Sequence, residues 1–148
     1  MDDGAAFSLN RSFVHLSGDG VNFYEQQRAT MIAQELGYVG FAADIYGMDK
    51  HEVSDIEERS TLAGLYRENA TLFFSRIEAA IQQVKTLDEV DSDNVAAIGY
   101  CFGGTGVITY GLLGGNGVKG LVSFHGGLTR YVQSSLCISL CRSSFACS

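Results

Sequence analysis

Apolar residues in this chain come in short runs, and stretches of helical period separate them. Ser12–Leu16 (SFVHL) is an apolar run that ends in SGDG, which predicts a strand passing into a loop. Asn22 followed by Glu25 forms a helix-start box. From there Met31, Ile32 and Leu36 share one face, and Gly37 is a natural stop, so a helix is predicted up to Leu36. Tyr38–Ala43 (YVGFAA) is almost wholly apolar, as suits a strand buried on both faces of a parallel sheet. Asp44 and the stretch IYGMDK read as a loop at that strand's C-terminal end.

Ser54 and Glu57 make a second start box, and the helical pattern runs from there to Leu87 in two pieces. Within it Phe73, Ile77, Ala80, Ile81 and Val84 form an amphipathic stripe, which reads as a core face. Asp88–Asp93 (DEVDSD) is a solvated turn, and Val95–Tyr100 (VAAIGY) is a third buried strand. A helix over Gly103–Leu113, a turn at 114–117 (GGNG) and a strand over Val118–Phe124 follow. Strands alternating with helices predict an α/β fold, a three-layer α/β/α arrangement around a parallel sheet. No internal repeat or linker interrupts it, so one domain is expected over residues 12–128.

Length and composition agree with a single packed domain. A chain of 148 residues buries roughly two thirds of its unfolded surface. With 46% hydrophobic and 18% charged residues it is not a disordered chain. No apolar run approaches the ~20 residues of a membrane span, so no membrane partner is expected. The start, MDDGAAFSLN, is acidic and has no basic segment ahead of an apolar one, so no secretory signal is read and the cytoplasm is the default expectation. For the same reason the four cysteines do not suggest a disulfide framework.

Net charge is −7, which argues against nucleic acid as a partner. The charge is unevenly placed. Residues 1–93 hold all 17 acidic residues against 7 Lys and Arg, whereas residues 94–148 hold 3 basic residues and no acid. There are 18 glycines and no proline, where about 5% proline is usual. Residues 129–148 (TRYVQSSLCISLCRSSFACS) change character, with six serines, three cysteines and no clear period. They read as a divergent tail. The spacing of Cys137, Cys141 and Cys147, with no histidine nearby, does not suggest a zinc site, and no metal is expected.

The run Gly99-Tyr100-Cys101-Phe102-Gly103-Gly104 carries the candidate chemistry. It lies where a buried strand turns sharply into a helix, the setting in which a nucleophile is presented on a strained backbone. The residues two before and two after must be small, because their backbones nearly touch; both are glycine. The helix that starts after Cys101 points free N–H groups at the sulfur, and its dipole favours the thiolate. The Phe102 N–H is one candidate oxyanion donor, and the loop around Leu16–Gly20, including Ser17 and Asp19, is the candidate source of a second. Spacing alone equally allows a buried cysteine in an ordinary glycine-rich turn. A dinucleotide fingerprint fails, because Gly104 and Gly106 are not followed by glycine at position 109, and no Gly-Lys-Ser/Thr occurs.

With YVGFAADIYG at 38–47, VAAIGYCFGGTGV at 95–107 and GLVSFHGGLT at 120–129, the chain resembles the dienelactone hydrolase family of α/β-hydrolases over Phe13–Thr129. The resemblance implies an α/β-hydrolase-type sheet. It also implies carboxymethylenebutenolidase-like chemistry, in which an elbow cysteine opens an ester or lactone without a cofactor. Cys101 then matches the nucleophile, Phe102 the oxyanion donor, and His15–Gly20 the loop that in many members holds a His-Glu or His-Asp pair. Here that loop reads HLSGDG, which leaves only Asp19 as a carboxylate.

The far end of the chain departs from the family pattern. The expected order is nucleophile, acid, histidine. No Asp or Glu follows Cys101, and the only later histidine, His125, matches a position at the pocket rim rather than the family's base. The strands upstream of Phe13 are also missing. The fold is therefore expected to be incomplete, the mark of a shortened product or an incomplete gene model. The alternative function is an inactive homologue without the acid and histidine of the triad. The family's strand order would put the elbow strand between the first and fourth strands, with the second outside the first. Apolar sheet edges would then be exposed and open to self-association.

Overall fold

The computed structural model describes residues 12–16, 20–47, 50 and 55–128, with the side chains of Phe13, His15 and Leu16 outside that description. Four strands, β1 (Ser12–Leu16), β2 (Val39–Ala42), β3 (Val95–Tyr100) and β4 (Gly120–Phe124), form one all-parallel sheet in the order β2-β1-β3-β4. This is the expected order. Helix α1 (Phe23–Leu36) connects β1 to β2, helices α2 (Ile56–Glu68) and α3 (Ala70–Lys85) connect β2 to β3, and α4 (Phe102–Leu112) connects β3 to β4.

Strand register assigns the layers. Val14, Phe41 and Ala97 are partners across the sheet and face the core, where Phe73, Ile77, Ile81, Val84 and Val107 from α3 and α4 are buried. Gly40 points the opposite way, and a Cβ there would strike the backbone of Ala29 in α1. Helix α1 therefore covers one face while α3 and α4 cover the other, giving three layers.

Local chemistry sets most element ends. Asn22 Oδ1 accepts the Tyr24 N–H at 2.8 Å, and the Glu25 carboxylate accepts the Asn22 N–H at 3.2 Å, which completes the expected capping box. Gly37 ends α1 in the left-handed conformation, φ 66°. The long helical pattern divides at Asn69, which closes α2 and whose Oδ1 accepts the Leu72 N–H that opens α3. Asp91 anchors the turn into β3 through Asn94 Nδ2 and the Asp93 N–H; these two bonds hold its carboxyl below the usual range.

Two expectations are corrected. The cap of α2 is Asp55, whose Oδ1 accepts the Glu58 N–H at 2.8 Å, rather than Ser54, which lies outside the described residues. The strands are also not buried on both faces. Strand β3 alternates buried and half-buried positions, β2 is half-buried throughout, and β4 is exposed from Leu121 onward. One face of the sheet lies against two packed helices, whereas among the described residues the other carries α1, next to β2 and β1. The tail at 129–148 lies outside the described residues.

Candidate active site

Cys101 sits between β3 and α4 with φ 52° and ψ −110°, a backbone conformation that non-glycine residues rarely adopt. Its neighbours show why the turn can be so tight. A Cβ on Gly99 would land on the carbonyl of Gly103 and within 2.7 Å of the Gly104 nitrogen. A Cβ on Gly104 would come within 2.9 Å of the Phe124 oxygen and of Gly126 Cα. Glycine is therefore required at 99 so that the chain can double back, and at 104 so that α4 can lie against the end of β4.

Hydrogen bonds hold the turn from both sides. The Cys101 N–H donates to the Phe124 carbonyl at 3.0 Å, which extends the β3–β4 ladder by one step. The Cys101 carbonyl accepts the Thr105 N–H at 3.0 Å and the Thr105 hydroxyl at 3.3 Å. Phe102 faces inward at 2% exposure, stacked on Phe73 with ring centres 4.7 Å apart and also against Tyr46 and Tyr66. The buried ring fixes the first turn of α4 while Cys101 itself stays exposed.

Asn22, Asp55 and Asn69 each spend a side-chain oxygen on the first turn of their helices, whereas Cys101 makes no such bond. The N–H groups of Phe102, Gly103 and Gly104 precede the first i→i−4 bond of α4, so this helix start presents backbone donors beside an exposed thiol. Leu16, the last residue of β1, is register partner of Gly99, so the following loop begins beside the elbow. Ser17 and Asp19 of that loop lie outside the described residues.

A family model for the dienelactone hydrolase family matches residues 19–139. The chain belongs to the dienelactone hydrolase family. Among solved structures, a dienelactone hydrolase-like promiscuous phosphotriesterase from metagenomic libraries is 32% identical with a TM-score of 0.73; the match covers 80% of this chain and 48% of that one. A structure named m3DLH is 29% identical with a TM-score of 0.74, covering 84% of this chain and 52% of that one. No curated protein matches. The fold is of the α/β-hydrolase type, and the chain spans about half the length of the solved structures it matches.

Seen as a dienelactone hydrolase family site, the elbow brings together Gly99, Cys101, Phe102, Gly103 and Gly104. His125 follows β4 directly, exposed and with φ 43°. Residues 94–148 hold no Asp or Glu, so the described residues after Cys101 bring no acidic side chain to it. Among the described residues no group of three His, Cys, Asp or Glu is placed to hold a metal ion, and no helix is long and apolar enough to cross a membrane. Sequence reading missed the Thr105 and Gly126 contacts and the Tyr100–Phe124 stack, whose ring centres lie 4.7 Å apart beside the Arg28 guanidinium. Only Thr105 left a signal, four residues after Cys101 on the same helix.

Proposed function

We propose that this chain carries the nucleophilic half of a hydrolase acting on small esters or lactones. The Cys101 thiolate attacks the carbonyl carbon, a C–S bond forms, and the carbonyl electron pair moves onto oxygen. The Phe102 N–H donates to that oxyanion. Collapse expels the alkoxide, which takes up a proton and, in a lactone, stays tethered to the acyl group. Water then attacks the thioester carbon and the acid leaves as the thiolate is restored. No cofactor enters this sequence of steps.

One observation carries the reading. An exposed thiol stands on a positive-φ backbone at the start of a helix whose N-cap residue, Cys101 itself, makes no side-chain capping bond. Family membership supports the reaction class. Hydrolysis of p-nitrophenyl acetate by the wild type and by Cys101→Ala tests it. Loss of turnover in the variant supports the enzyme, and equal rates near background overturn it. The second reading, an inactive homologue, is prompted by residues 94–148, which hold no Asp or Glu. It predicts that equal-rate result. The likeness to a promiscuous phosphotriesterase makes an activated phosphotriester a sensible second probe in the same assay.

A further inference from the structure

Thr105 is 3% exposed, and its hydroxyl serves two distant segments. Oγ1 accepts the Gly127 N–H at 2.8 Å and donates to the Cys101 carbonyl at 3.3 Å. On the other side of the nucleophile, the Cys101 N–H donates to the Phe124 carbonyl. Phe124 and Gly127 bracket His125 and Gly126. Both backbone polar groups of Cys101 are thus tied, one directly and one through a single hydroxyl, to the same four-residue loop. A threonine bond back to the i−4 carbonyl is routine in helices. A hydroxyl that also takes a backbone N–H from 22 residues away joins two elements.

We propose that Thr105 is a positioning residue for the Cys101 thiol. By locking the loop after β4 onto the nucleophile's own carbonyl, it maintains the strained backbone that presents the sulfur. Such strain persists only where the surroundings over-determine it. Without this tie the Cys101 peptide relaxes toward an ordinary conformation and the thiol turns away from the N–H groups of α4. The inference rests on Cys101 being the reactive thiol.

The test is alkylation of Cys101 by iodoacetamide, followed by mass spectrometry of the peptide that contains it across a range of pH. In this reaction the sulfur bonds to the methylene carbon, iodide leaves, and the thiol proton goes to buffer. Thr105→Val keeps the shape and removes the hydroxyl; Gly127→Pro removes the donor at an exposed position; Thr105→Ser restores the hydroxyl. The expected result is about tenfold slower alkylation near pH 7 in Thr105→Val and Gly127→Pro, corresponding to ~1.4 kcal/mol, with Thr105→Ser at the wild-type rate.

Wild-type rates in folded Thr105→Val or Gly127→Pro overturn the role of Thr105. If Thr105→Val does not fold, Gly127→Pro decides by the same readout. A wild-type Cys101 that alkylates no faster than a free thiol overturns the underlying reading as well. Fast wild-type alkylation that the variants leave unchanged removes Thr105 alone.

Discussion

Gly99 and Gly103 meet backbone to backbone, with no room between them for a single methyl group. The contact joins the last turn of a central strand to the first turn of the helix that follows. A substituent on Gly99 would strike a carbonyl and not a side chain that could swing aside. Gly99→Ala is therefore expected to push β3 and α4 apart and to cost at least the ~1–3 kcal/mol typical of overpacking. Thermal unfolding checks the loss. Cys101 alkylation should slow in the same variant, because the displaced helix no longer starts directly beside the thiol.

The strain at Cys101 makes the opposite prediction for its own replacement. A non-glycine residue in a sparsely populated backbone region costs about 1–3 kcal/mol, and glycine gives back part of that as unfolded-state entropy. Cys101→Gly is expected to gain about 1 kcal/mol of stability while ester hydrolysis falls to background. A calorimetric midpoint equal to or below the wild type's would show that φ 52° is not held under strain.

What the sequence disclosed and what it hid differ in range. The Asn22–Glu25 box, the Gly37 stop and the Phe73–Val84 stripe are local, so neighbouring residue types suffice to place them. The elbow is local too, since its glycines lie within three residues of Cys101. The sequence box at Ser54 and Glu57 misses the start of α2 by one residue, because the backbone conformation decides which side-chain oxygen reaches a free N–H, and here it is that of Asp55. Two-sided burial was misread because an apolar run such as YVGFAA records what could cover a strand and not what does. The Gly127–Thr105 bond was invisible because 22 residues separate its partners.

Tyr110 gives a pH prediction whose sign is fixed. Burial, then the hydrogen bond it donates to Glu78 Oε2 at 2.6 Å, pushes its pKa up to about 12, although the Gly117 N–H at 3.0 Å acts in the other direction. Folding keeps the proton on, so the stabilisation is complete below pH ~10 and disappears as pH rises through about 12. Tyr110→Phe is expected to lose about 1–2 kcal/mol at neutral pH. Between pH ~10 and ~12 wild-type stability should then fall more steeply than the variant's. Chemical denaturation at several pH values follows both curves, and parallel curves would count against the assignment.

The free edge of β4 makes the last prediction. Leu121, Val122 and Phe124 are 38%, 41% and 44% exposed, and the backbone beside them pairs with no strand among the described residues. An apolar groove of about 240 Å³, lined by Val107, Ile108, Gly111, Leu112, Leu121 and Ser123, adjoins this edge. An exposed, flat, apolar edge is a template for another strand. The charge distribution favours a second copy of this chain as that partner. Between Asn94 and Leu128 the only Asp, Glu, Lys or Arg is Lys119, so two copies can meet here while their acidic regions stay apart. Antiparallel pairing about Val122 would make one eight-stranded sheet. Sedimentation at micromolar concentration should give a mass well above 15.9 kDa for the wild type. Val122→Lys should return it toward the monomer, because a charge on an edge strand blocks such pairing. A wild type that sediments as a monomer would refute the pairing.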